Sequence, residues 1–203
     1  MYTGEAVKFD DNRLDFNHTS TVVVKKDLYA FKPGYPVEAY KIINFASILP
    51  LRRIEKITLP TFQREGRLKD FSVCNWAGNI ILTGGTCSTG THPYKHTQQT
   101  YLLNLKTDKW YDESFLPDLK QNRAKHGSIS LGEQTFVACG LGAWSDRYLR
   151  SVEVLRLGAK AWEYIEVPED LTVRVFPILC PINDGNICIL GGSNNKRYVW
   201  MED

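Results

Sequence analysis

The sequence offers little that would mark a particular chemistry. Its longest apolar stretches are four or five residues, too short to span a bilayer. Neither sign of charge dominates: 25 basic and 23 acidic residues leave a formal charge of +2, so there is no general field for nucleic acid or an anionic membrane. The five cysteines are an odd number without CxxC spacing, which argues against a disulfide framework or a zinc ribbon. Four of them, Cys74, Cys139, Cys180 and Cys188, lie in apolar runs, where cysteine acts as a small buried hydrophobe. This usage points to a reducing, cytoplasmic setting. No GxSxG, GxxxxGK[ST] or HExxH motif is present. His92 and His96 stand four apart, a metal-binding spacing only on a helix, and Pro93 opposes a helix there. No metal and no cofactor are therefore expected. The opening MYTGEAVKFDDNRLDF is charged throughout and does not read as a signal peptide.

What is present is a repeat. IILTGG ends in Gly84-Gly85, FVACGL in Gly140-Leu141 and ICILGG in Gly191-Gly192. The leading glycines are 56 and 51 residues apart. Arg67, Arg123 and Arg174 each stand 17 residues before the leading glycine of their copy. Between arginine and glycine, apolar residues at positions two apart mark a strand: Phe71 and Val73 in one copy, Ile178 and Cys180 in another. Small turns follow at Ala77-Gly78-Asn79, Leu131-Gly132-Glu133 and Asp184-Gly185-Asn186. Downstream, YLLNL (101–105) leads to Trp110 and Pro117, and VEVLRL (152–157) to Trp162 and Pro168. An earlier, degenerate copy runs through YKIINF (40–45) and Leu59-Pro60. Residues 37–49 also carry apolar residues at helical spacing between two prolines, so a short helix competes there; the repeat register favours a strand.

The runs before the glycines are continuously apolar, as in strands covered on both faces. Glycine permits backbone angles and close approaches that a β-carbon would block. No copy can bury both its faces alone, so neighbouring copies must stack. A doubled glycine after an apolar strand, then a tyrosine position, then a tryptophan, at a period near 50, resembles the kelch repeat. Two departures stand out: Leu141 replaces a second glycine, and Glu153 occupies the place of Tyr101. The resemblance implies an all-β, kelch-type β-propeller of about three and a half to four four-stranded antiparallel blades, a partial or unusually small ring in a single domain. The blades fall at 18–66 (degenerate), 67–122, 123–173 and 174–203 (incomplete). AVKFDDNRL (6–14) resembles LLNLKTDKW (102–110), so residues 2–16 either complete the last blade or belong to the tail of a preceding one. Self-association to complete a ring is a further expectation.

In kelch geometry the arginine column faces the central channel, and in kelch receptors for acidic peptides it lines the pocket. Guanidinium groups suit carboxylates through bidentate bonding. In the competing reading, Arg67, Arg123 and Arg174 each bond a neighbouring blade's backbone and only hold the fold. The post-glycine loops 86–99, with Tyr94, and 142–150, with Trp144, Arg147 and Tyr148, are long or rich in hot-spot residue types. Trp144 alternatively folds back on its own blade. The expected function is a non-catalytic module that presents these loops to a protein or peptide partner, with acidic character favoured and neither nucleic acid nor membrane expected. The alternative is a kelch-like enzyme, of oxidase or sugar epimerase type, acting on a carbohydrate.

Overall fold

The computed structural model describes residues 19–34, 36–45, 53–57, 66–88, 95–111, 115–143, 147–182 and 185–194. These residues are all β, with no α-helix among them. The first sheet is a meander of β1 (Ser20–Val24), β2 (Asp27–Lys32), β3 (Glu38–Ile43) and β4 (Arg53–Ile57). After β5 (Arg67–Lys69) the second sheet begins with β6 (Ser72–Trp76) and β7 (Asn79–Thr83). Short β8 (Thr86–Ser88) and β9 (Lys95–His96) pair with β5 instead, and β10 (Thr100–Asn104) and β11 (Lys109–Trp110) complete the second sheet. The third comprises β12 (Gly127–Leu131), β13 (Gln134–Ala138), β14 (Val152–Arg156) and β15 (Glu163–Ile165). β16 (Ile178–Pro181) and β17 (Ile187–Leu190) form a two-stranded fourth sheet.

The expected four-stranded sheets thus form in the copies that start at Arg67 and Arg123. The Arg174 copy has two strands among its described residues. The copy read as degenerate forms a complete four-stranded sheet, so loss of its glycine and tryptophan signals did not cost it the strands. Helical spacing at 37–49 is overridden: Glu38–Ile43 is a strand paired on both sides, with β2 and with β4. Backbone pairing to two neighbours and the β-branched Ile42-Ile43 outweigh a weak local propensity. Residues 2–16 lie outside the described residues.

Adjacent sheets bury a core between each pair. Phe31, Val37 and Ala39 of the first meet Val73, Ile80, Leu82 and Tyr101 of the second. Trp76, Ile81 and Leu102 of the second meet Val137, Leu155 and Trp162 of the third. Ala138 and Val152 of the third meet Leu179 of the fourth. The second and third sheets are therefore covered on both faces, which explains their unbroken apolar runs. Trp110 and Trp162 take matching places in successive layers. Trp110 packs edge-on to Phe31 and Tyr101, at 6.4 and 6.3 Å between ring centres. Trp162 is fully buried, and its Nε1 donates to the Pro117 carbonyl at 2.9 Å.

The glycines mark where one sheet's backbone meets the next. Gly84 has φ +57, and a β-carbon there would stand 2.2 Å from the Arg123 carbonyl oxygen. Its neighbour Gly85 donates its N–H to that same carbonyl at 2.8 Å, and Gly140 repeats the bond to Arg174 at 2.9 Å. A side chain at Gly84 would push the two sheets apart.

Candidate functional site at the glycine end

The strand directions place all segments before the first strands, and all loops after the glycines, at one end of the sheets. There the first strands lie side by side: β1 against β6, β6 against β12, and β12 against β16. Asp70, Lys125 and Phe176 each stand two residues before the first strand of their sheet, all with φ between 55° and 57°. They staple the sheets: Lys125 N–H donates to the Asp70 carbonyl at 2.8 Å, and Phe176 N–H to that of Lys125 at 2.7 Å. Sequence reading missed these residues. Their signal is the shared place two residues ahead of a strand, obscured because their chemistry differs.

Beneath the staples is a cavity of about 400 Å³, lined in part by Ser20, Ser72 and Ser128 together with Asp70, Lys125 and Phe176. Ser72 and Ser128 hydroxyls lie 2.7 Å apart, and Ser20 donates to the Phe71 carbonyl at 2.9 Å. The Lys125 ammonium stands 5.2 Å from the Phe176 ring centre, within cation–π range. His126, also in the wall, is buried and shares a 2.9 Å hydrogen bond between its Nε2 and Thr83. Burial first, and the nearby Arg123 charge second, hold its pKa well below the usual histidine value. It is a neutral ring at physiological pH.

The arginine column does not form one exposed array. Arg123 is fully buried. Its Nη1 donates to the carbonyls of Cys139 at 2.6 Å and Ser151 at 3.1 Å, and its Nη2 to Ser151 Oγ and Glu153, both at 2.9 Å. Glu153 is equally buried and also accepts from Lys120 N–H at 2.6 Å. Arg174 is 5% exposed; its Nη1 donates to the Gly191 carbonyl at 2.9 Å and its Nε to Thr172 at 3.3 Å. Both guanidinium groups hold backbone carbonyls and neither is presented at the surface, but the carbonyls of Arg123 belong to its own repeat and not to the neighbouring blade that the competing reading named. Arg67 alone of the three is exposed.

The carboxylate that pairs with Arg123 stands at the tyrosine position. In the second sheet Tyr101 donates to Gln99 Oε1 at 2.6 Å, and in the first Tyr40 donates to Glu38 in the same way at 2.6 Å. The third sheet has Glu153 there, and its buried carboxylate pairs with the Arg123 guanidinium. Of the loop residues, Arg147 is exposed and its carbonyl accepts from Gly142 N–H at 2.8 Å. Tyr148 is half-buried, bridged to Leu141. Tyr94 and Trp144 lie outside the described residues, as does His92; His96 is buried and its Nδ1 bonds the Gly142 carbonyl.

Cations nevertheless gather at this end from other positions. Arg67, Lys69, Lys95, Lys125, Arg147 and Arg150 occupy the segments leading into the sheets and the post-glycine loops, all at least partly accessible, with the Asp70 carboxylate among them. Glu166, Glu169 and Asp170 occupy the segment running from β15 toward the fourth sheet.

Fold and site together define an all-β protein of successive antiparallel sheets packed face to face, with a basic, cavity-bearing end. No family model and no curated protein sequence matches the chain. Among solved structures its fold is similar to that of YjhT, with a TM-score of 0.69 at 12% identity, over 86% of this chain and 56% of that one. The chain thus spans little more than half the length of that structure, and at this identity the likeness concerns the fold alone.

Proposed function

We propose that this chain is a kelch-type β-propeller segment serving as a protein-interaction module, and that its glycine end captures an acidic segment of a partner. The observation that carries the reading is the group of six accessible cations in the segments and loops of that end, in a chain whose overall charge is only +2. Such a local patch speeds association with acidic segments, and salt weakens the effect. The interacting residues are Lys125, Arg67 and Arg147; Arg123 and Arg174 support the loops from within. The five free cysteines fit a cytoplasmic setting.

The test is fluorescence anisotropy with a labelled glutamate-rich peptide. Charge reversal of Lys125 and Arg147 together is expected to weaken binding at least tenfold. Reversal of Lys109, in the turn at the opposite end, should leave it within twofold. Equal binding by both variants would refute the reading. The hydroxyl-lined cavity of about 400 Å³ favours a second reading, a kelch-like enzyme acting on a carbohydrate. A saccharide-binding screen with metal analysis of the purified protein separates the two.

A further inference from the structure

The fourth sheet carries a pair of cysteines whose placement has a chemical consequence. β16 and β17 pair with Cys180 directly opposite Cys188. Leu179 is buried and, with Ile187 and Ile189, packs against the third sheet. Alternation along each strand then puts Cys180 and Cys188 on the other face, beside Ile178 and Leu190. That face is open: Ile178 is 63% and Leu190 41% exposed, and both cysteines are half-buried free thiols. A β-carbon at Gly191, the counterpart of the tightly opposed Gly84, would meet nothing within 4 Å.

The hydrogen-bond phase of the hairpin sets the spacing. Ile182 N–H donates to the carbonyl of its opposite residue Asn186 at 2.9 Å, which makes that a hydrogen-bonded pair. Two residues along each strand, Cys180 and Cys188 fall on the same phase. Opposed α-carbons in such pairs are about 5.5 Å apart, near the commonest disulfide separation. Their β-carbons, in this phase, stand at the wide end of the cross-strand range, about 5.5 Å, well beyond the roughly 3.8 Å of a relaxed disulfide, so closure must draw the strands together and leaves a strained bond that is readily reduced again.

We propose that Cys180 and Cys188 are a reversible thiol–disulfide couple that locks the β16–β17 hairpin. The oxidant is a low-molecular-weight disulfide. One cysteine thiolate attacks it and expels one small thiol, forming a mixed disulfide. The second thiolate then attacks the protein sulfur and expels the other small thiol. Two protein thiols are oxidised to one disulfide while the small disulfide is reduced to two thiols, which take up the two protons. Cys74 and Cys139 cannot compete. Both are buried, and burial raises their thiol pKa, that of Cys74 to about 11.

The experiment exposes the native protein to oxidised glutathione, blocks remaining thiols and maps peptides by mass spectrometry. The expected product is a Cys180–Cys188 cross-link with the loss of two hydrogens, reversed by dithiothreitol. Alkylation of those two residues should fall at least tenfold, with Cys74, Cys139 and Cys87 unlinked. Cys180→Ser should instead trap a stable mixed disulfide on Cys188, a readout independent of how Cys188→Ser folds. Glutathione adducts on both cysteines without a cross-link in the native protein, or a cross-link that recruits Cys87, would overturn the proposal.

Discussion

The second and third sheets share one strand order in the chain and one arginine-to-glycine spacing, yet their arginines end in opposite settings and one residue out of step: Leu68, not Arg67, takes the place of Arg123 and Arg174, its carbonyl accepting from Gly34 N–H as theirs accept from Gly85 and Gly140. In the second, Tyr101 bonds Gln99 and Arg67 stays in solvent. In the third, Glu153 stands in the tyrosine's place, and Arg123 is fully buried against it and against two carbonyls. Equal spacing along the chain therefore does not bring the two arginines to one place in the fold. In the third sheet a carboxylate thirty residues from the arginine pairs with it as an internal brace.

The comparison can be broken most forcefully at the buried groups. Trp162→Ala is expected to lower stability by about 3–5 kcal/mol in urea melts, the range for large aromatics in a packed core. Trp110, only partly buried, should cost less; a larger loss at Trp110 would reverse the ranking of the two interfaces. Glu153→Ala should also cost about 3–5 kcal/mol, because it strands a buried guanidinium, whereas Glu153→Leu combined with Arg123→Met should recover most of that loss. If the double variant is as unstable as the single, the carbonyl bonds rather than the ion pair hold the third sheet.

A gentler test uses pH. His126 is neutral in the folded chain with its pKa depressed, while the unfolded chain protonates near pH 6.5. Below that value the unfolded state binds the extra proton, so stability falls as pH falls, by up to about 1.4 kcal/mol per pH unit, and this contribution is flat above it. His126→Gln should remove that component from the pH profile measured between pH 4 and 7. An unchanged slope would place the titration elsewhere. The smallest effect is expected at the second sheet's arginine: Arg67→Ala should stay within about 0.5 kcal/mol, as for surface substitutions generally. A loss comparable with that of Arg123→Ala would erase the contrast between the two sheets.

Much of the architecture is legible in the chain. The glycine spacing locates the ends of β7, β13 and β17, and the paired tryptophans locate the layers between sheets. The turn at Ala77-Gly78 is read correctly because a two-residue hairpin needs left-handed backbone, and both residues adopt it, at φ 48° and 79°. The first sheet is harder to read. Its apolar residues fit a helix as well as a strand, and only pairing with β2 and β4 decides between them. The candidate site was legible as an end of the molecule but not as a set of residues. Lys125, Asp70 and Phe176 share a backbone conformation, not a chemistry, so no residue pattern announces them.

The sequence by itself determined that the chain repeats and that its sheets must stack, because these follow from apolar periodicity; the crossing in the third sheet falls on Cys139-Gly140, one residue before the Gly140-Leu141 pair that the glycine spacing marked. Tertiary structure alone decided which arginines face water and which cysteines oppose each other. Those outcomes depend on partners distant along the chain, Glu153 for Arg123 and the β16–β17 phase for Cys180 and Cys188. Burial of a charge or alignment of two thiols is a property of that meeting, not of either residue.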